Sequence, residues 1–181
     1  MKFLNLIKEL HSQNKPVIVW TIFVKSMNIL AEQLLKHDIK AKIISGAVTP
    51  EERVKIIKDF KDRHFDVLIT NPHTLAESVS LHSVCHDAIY YEYSYNLVHL
   101  LQSKDRIHRL GLPENQYTQY YYLQDIFKDA GLTYSLDEEI YNRLKLKEQI
   151  MLEAVQEKRL ENVSPSSTEE DLAEIFNKLG I

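Results

Sequence analysis

The spacing of apolar positions changes period repeatedly along the chain. Residues 3–11 read as an amphipathic helix. Pro16 then precedes an apolar run over 17–23 that predicts a strand. Residues 24–37 carry Met27, Leu30, Leu34 and Leu35 at helical spacing. A short strand over 41–44 ends at a Ser45-Gly46 turn. Thr49 as cap, Pro50 at the first helical position and Glu52 at the third form a capping box. The helix that follows is predicted to turn Val54, Ile57 and Phe60 to the core. Buried strands are expected at 66–70 and 88–91, and a helix at 96–110 packed through Leu100, Leu101 and Ile107. A tyrosine-rich stretch, 116–123, closes the series as a strand. This alternation predicts an α/β fold with a mostly parallel sheet and helices on both faces. Such sheets bind ligands at the carboxyl ends of their strands. Ser45, Thr70 and Asn71 fall there, beside the loop carrying Glu77.

The pattern divides the chain into a domain over 1–124, a long brace-like helix within 125–161, a linker at 162–167 and a short C-terminal helix over 168–181. Ser135 with Glu138 makes a capping box for the long helix, whose apolar positions are Ile140, Leu144, Ile150, Met151 and Val155. Asp137-Glu138, which superficially looks like a magnesium-binding pair, belongs to that helix start. The final helix, capped by Thr168, carries a stripe of Leu172, Ile175, Phe176 and Leu179 expected to dock on the domain, the rival reading being a helix for a partner's groove.

Composition sets bounds. A chain of 181 residues is long enough for one domain and an appendage. Its single cysteine, Cys85, excludes a disulfide framework and fits a reducing compartment. No signal peptide or membrane-length apolar run is legible, so a cytoplasmic, membrane-free protein is expected. Residues 1–124 hold 15 Lys/Arg against 13 Asp/Glu, while 125–181 hold 7 against 13. A nucleic-acid surface therefore belongs to the first part, as a local patch. His82, Cys85 and His86 give three metal-ligand types, yet no second ligand pair lies at suitable spacing, so no metal site is assigned. Tyr90, Tyr91, Tyr93 and Tyr95 are chemically able to stack bases, but packing is the simpler reading beside an apolar strand.

The segment 102–111 reads Q-S-K-D-R-I-H-R-L-G. At helical spacing Gln102, Asp105, Arg106 and Arg109 share one face, and Gly111 with Pro113 stops the helix. Two arginines so placed require an anionic partner, and a guanidinium fork suits phosphate oxygens. Taken alone, the run also fits a solvated helix end bearing surface salt bridges.

That segment closely resembles the last helicase motif of Swi/Snf-type superfamily two helicases. V-I-V-W-T-I-F (17–23), S-G-A-V-T-P-E-E-R (45–53), V-L-I-T-N-P (67–72) and A-E-S-V-S-L-H (76–82) resemble earlier motifs of the same family, in order. The likeness covers residues 15–124, and S-L-D-E-E-I-Y-N-R-L-K-L-K (135–147) resembles the helix that follows. The run from Glu77 to Leu112 looks particularly like bacterial and phage-associated members. One departure is Ala76 and Ser78, where the family loop has glycines.

The resemblance implies the second, C-terminal RecA-like domain of a helicase or translocase: a RecA-like, P-loop NTPase-like three-layer sandwich with a C-terminal helical appendage. It implies ATP and Mg²⁺ held mainly by a first RecA-like domain, in a longer chain or a separate subunit. This domain would supply Arg109 and Arg106 as arginine fingers, with Gln102 orienting them or the attacking water, Asp105 tethering an arginine and Glu77 at the nucleotide side. Nucleic acid, expected to be double-stranded DNA, would meet Ser45, Gly46, Thr70 and Asn71, with Lys42 or Lys25 adding charge. The four glycines, Gly46, Gly111, Gly131 and Gly180, permit no G-x-x-x-x-G-K-[ST] loop, so the chain alone is expected to be inactive as an ATPase. Two other readings stand beside this one. One is a non-enzymatic interaction domain from a truncated helicase gene. The other is a phosphoryl-anion-binding module of another doubly wound family, which Gly-rich phosphate loops would support and this chain lacks.

Overall fold

The structure is a computed structural model and describes residues 2–75, 79–108, 116–129, 132–157 and 173. Helix α1 (Lys2–Ser12) is followed by β1 (Val17–Trp20), α2 (Val24–Leu35), β2 (Ala41–Ile44), α3 (Pro50–Lys61) and β3 (Val67–Thr70). Then come β4 (Asp87–Tyr90), α4 (Leu97–Lys104) and β5 (Gln119–Tyr122). These five strands form one sheet, ordered β2-β3-β1-β4-β5, with every neighbouring pair parallel. Strands β1, β3 and β4 are buried along their whole length, which is why their sequences are mostly apolar rather than alternating, with buried Asp87 at the start of β4 the charged exception. On one face Val17, Val19, Val67, Ile69 and Ile89 pack with Phe3, Ile7 and Leu10 of α1 and Met27, Leu30 and Leu34 of α2. The alternate residues Ile18, Trp20, Leu68, Ala88 and Tyr90 are buried on the other face. The chain passes from β1 to β2 in one direction and from β2 to β3 in the other, so right-handed crossovers set α2 and α3 on opposite faces. The result is three layers, and β1 and β4 flank the point where the connections diverge.

Three details differ from expectation. Val54 is 68 % exposed, because six residues of helix separate it from buried Phe60 by about 120° around the axis. Ile57, closer to that face, is half-buried. The strand expected over 17–23 ends at Trp20. Thr21 still donates its amide to Thr70 O (3.0 Å), but the next two amides turn to a side chain, described below. The helix expected over 96–110 ends at Lys104. A turn over 105–107 follows it, in which the Arg106 and Ile107 amides bond only three residues back, to Ser103 O (3.3 Å) and Lys104 O (3.2 Å), while the Arg106 carbonyl accepts the Leu81 amide (2.8 Å); residues 109 and 110 lie outside the described residues.

The chain divides into two compact units, Met1–Tyr93 with His99–Leu123, and Ser94–Val98 with Gln124–Ile181. In the second, β6 (Phe127–Asp129) and β7 (Leu132–Tyr134) form an antiparallel hairpin that the sequence pattern does not announce, with Phe127 and Tyr134 stacked at 5.5 Å. Helix α5 (Leu136–Glu157) starts where Ser135 Oγ accepts the Glu138 amide at 3.2 Å. Asp137 accepts the Asp125 amide at 2.9 Å. Ile140 and Leu144 are buried, whereas Ile150 and Val155 are exposed. The linker at 162–167 and the stripe Leu172, Ile175, Phe176 and Leu179 lie outside the described residues. No helix of the described residues is long and apolar enough to cross a membrane.

Candidate functional site

Register brings the expected nucleic-acid residues to one edge. Ile44, Thr70, Trp20 and Tyr90 are aligned across β2, β3, β1 and β4. The residues that follow them, Ser45, Asn71, Thr21 and Tyr91, therefore form the carboxyl rim. Ser45 is 6 % exposed; its Oγ accepts the Ala47 amide (3.4 Å) and its carbonyl accepts the Val48 amide (3.1 Å), which shapes a tight turn. Gly46 sits at the exposed apex, and a Cβ added there would meet nothing within 4 Å. The fold itself does not require glycine at this position. Asn71 builds the next turn, its Oδ1 accepting the Thr74 amide (2.7 Å) and its carbonyl the Leu75 amide (3.3 Å). Lys25 and Lys42 are both exposed.

Thr70 is the exception. Its side chain is fully buried and its hydroxyl donates to Ile44 O at 2.8 Å. It ties β3 to the end of β2 and presents no surface, so its place in the expected contact set is corrected to that of a support for the two turns.

The arginine segment also differs from the expected finger face. Gln102 and Asp105 are exposed, but Arg106 is only partly so. Its Nε donates to Gln102 O (3.0 Å) and its Nη1 to Val79 O (3.4 Å). Among the described residues Arg106 has no carboxylate partner, and Asp105 forms no ion pair. Asp105, expected to tether an arginine, does not pair with Arg106, whose guanidinium is instead pinned by carbonyl contacts to the segment after β3. Arg109 and Glu77 lie outside the described residues, as do Ala76, Ser78 and Gly111. Upstream, Ser103 is buried, bonded to Tyr90 Oη (2.7 Å) and donating to Leu100 O (2.7 Å), which fixes the rotation of α4 over the sheet.

Two arrangements escape the sequence reading. The first is Glu92, just beyond β4. Its carboxylate accepts from Thr21 Oγ1, from the Ile22 and Phe23 amides (3.0 and 3.1 Å) and from Ser26 Oγ (2.6 Å). Phe23, the α2 N-cap, supplies no cap of its own, so Glu92 closes that helix from across the sheet. Partial burial raises the carboxyl pKa, but the bonds from Ser26, Thr21, Phe23 and Ile22 outweigh it and hold Glu92 below the usual carboxylate range. The missing cap at Phe23 was the legible signal. The second is an edge-to-face pair of imidazoles, His73 and His99, with ring centroids 3.9 Å apart. Desolvation first, then the charge of His73, lowers the His99 pKa.

The other candidates are structural. Cys85 is fully buried with Sγ against Pro16 O and Asp87 O, and burial pushes its thiol up to about 12. His86 and His82 O both engage Gln116, and Ser80 bonds to His82. No group of three or more metal-ligating side chains occurs among the described residues. Tyr90 stacks on Tyr122 (4.7 Å), Tyr93 meets Tyr122 edge-on and Tyr91 packs against Phe3, so these three rings serve packing.

The family model described as "Helicase conserved C-terminal domain" matches residues 1–111. The chromatin-remodeling ATPase INO80 of Arabidopsis thaliana is 30 % identical over 107 residues, which are 59 % of this chain and 7 % of that protein. A crystal structure of the C-terminal part of the Fun30 ATPase domain superposes with a TM-score of 0.70 at 20 % identity, over 99 % of this chain and 53 % of that one. The likeness to Fun30 confirms the expected RecA-like α/β fold. This chain therefore spans a small fraction of INO80 and about half of the Fun30 chain. INO80 here is a plant protein, so the expected bacterial or phage-like branch draws no support from it.

Proposed function

The chain belongs to the helicase conserved C-terminal domain family, and from that premise we propose that it is the second motor lobe of an ATP-dependent nucleic-acid translocase or helicase. It works with a first RecA-like domain, in the same polypeptide or another, that carries the P-loop and holds ATP and Mg²⁺. The name of the INO80 relative, a chromatin-remodeling ATPase, supports ATP as the substrate of the assembled motor. In this reading the lobe supplies Arg109 to the γ-phosphate as charge develops there, a contribution worth roughly 10³–10⁵ in rate in other NTPases. Gln102, exposed on the last turn of α4, orients the fingers or the attacking water in this reading. Arg106 is a positioning residue, since its guanidinium is engaged by two carbonyls.

The observation that carries the nucleic-acid half is the rim itself. Gly46 occupies open space at an exposed apex, one strand from the Asn71 turn, with no structural need for a missing side chain. An exposed backbone without a side chain at Gly46 and the amide side chain of Asn71 suit a phosphate backbone rather than base edges. Double-stranded DNA is the proposed track, with little sequence preference. Asp105, Glu77, Lys25 and Lys42 remain secondary members of the site.

The test is reconstitution. The chain is combined with a P-loop-bearing first domain, and ATP hydrolysis is followed with and without duplex DNA, alongside Arg109→Ala. DNA-stimulated hydrolysis that disappears in Arg109→Ala is the expected result. Equal rates for wild type and Arg109→Ala would leave the alternative, a non-enzymatic interaction domain, as the better account.

A further inference from the structure

Helix α4 is fastened to the β3–β4 connection at two separate places. Near its start, the His99 ring meets the His73 ring at 3.9 Å with an interplanar angle of 69°. Beyond its end, Arg106 donates to Val79 O, and its own carbonyl receives the Leu81 amide. Between these places lies the buried Ser103–Tyr90 bond, which holds the helix to the sheet. The two ends of α4 are thus tied to one connection, and the middle is tied to β4.

We infer that His73, His99 and Arg106 form a two-point clamp that passes displacement of the Asn71 turn to the arginine segment; this rests on the motor-lobe reading above. The Asn71 turn is preformed by its bonds to the Thr74 and Leu75 amides and anchored by buried Leu75. His73 lies inside this internally bonded turn, so in the proposed scheme a phosphate engaged at Asn71 displaces His73 with it. His73 is exposed while His99 is half-buried, and the pair transmits that shift through ring contact. Desolvation keeps His99 below the ordinary histidine range, which favours a neutral ring and removes charge repulsion across the contact. At the far end the planar guanidinium reaches Gln102 O and Val79 O together, a geometry that a lysine ammonium does not reproduce. His73, His99 and Arg106 touch neither ATP nor DNA in this scheme. They set where the end of α4 stands.

The reconstituted two-domain motor tests this with saturating blunt duplex DNA, measuring kcat and the KM for ATP with and without DNA. His73→Ala, at an exposed turn position, is expected to keep the DNA-free rate and KM while the stimulation factor falls about fivefold. His73→Phe retains an edge-to-face ring and is expected to restore stimulation. Undiminished stimulation in His73→Ala overturns the clamp, as does a DNA-free rate that falls in step with the stimulated one. Arg109→Ala separates the two levels. If it leaves turnover intact, the motor-lobe reading fails and this inference with it; if it abolishes turnover while His73→Ala behaves as wild type, the clamp alone fails.

Discussion

Replacing Glu92 with alanine removes one carboxylate that serves four donors. Its cost follows from where each donor is left. The Thr21 side chain is fully buried, so its hydroxyl loses its carboxylate partner in a place water does not reach, at about 1–3 kcal/mol. Helix α2 loses the group that closes its first turn, and Phe23 offers no substitute, which adds about 1 kcal/mol. The Ile22 and Phe23 amides belong to exposed residues and rebond to water, so solvent discounts their share heavily. The expected loss is about 2–4 kcal/mol, a large part of the roughly 5–15 kcal/mol typical of a domain. Equilibrium urea unfolding reports it directly, because the single tryptophan, Trp20, is buried and adjoins Thr21. The urea midpoint should fall with the slope unchanged. The pH dependence supplies a second check. Glu92 is depressed in the folded state, so its stabilisation is complete above its unfolded pKa of about 4.3 and is lost as pH falls through the lower folded value. The gap between wild type and Glu92→Ala must therefore narrow in acid. A loss below about 1 kcal/mol at neutral pH, or a gap that stays constant down to the acid limit of folding, would refute the assignment.

Two further outcomes are expected. Tyr90→Phe keeps the ring stack on Tyr122 but removes the bond to Ser103, which still donates to Leu100 O; thermal unfolding should show a loss of about 1 kcal/mol, and no loss would mean the bond does not seat α4. Gly46→Ala should leave the fold unharmed or stabilise it by about 0.4–1 kcal/mol while weakening duplex DNA binding in fluorescence anisotropy, and unchanged affinity would remove Gly46 from the contact set.

The element series was legible because parallel strands buried on both faces must be apolar throughout, and 17–20, 67–70 and 87–90 are dominated by such residues. The α3 start was legible for a local reason: Thr49, Pro50 and Glu52 form a reciprocal cap without help from elsewhere. What escaped depends on long-range partners. The end of β1 at Trp20 reflects capture of the next amides by Glu92, about seventy residues away in sequence. After α4 ends at Lys104 the turn that follows bonds three residues back and gives the Arg106 carbonyl to the Leu81 amide, a partner distant in sequence. Val54 was misplaced for a simpler reason, since an apolar residue at the wrong angle on a solvated helix is common and its type alone carries no direction. Thr70 looked like a rim residue by position, yet a buried hydroxyl must find an acceptor, and Ile44 O is the one it has.

These corrections reinforce one another in what they say about the site. A parallel sheet delivers its rim residues at the height of the strand ends, so the turns that follow must be held by something other than the ladder. Each such turn here has its own fastening: Ser45 on Ala47 and Asn71 on Thr74 from within, and Glu92 on the β1–α2 junction from beyond β4. Fastened turns have little backbone entropy left to lose when a phosphate chain lies across them. The same logic applies to the arginines. A guanidinium that already bonds two carbonyls must break them to reach a phosphate. Arg106 is therefore better suited to setting the position of the segment than to entering the nucleotide site. Under the proposed function, with Arg109 as the finger, a motor carrying Arg106→Ala should retain more ATP hydrolysis than one carrying Arg109→Ala.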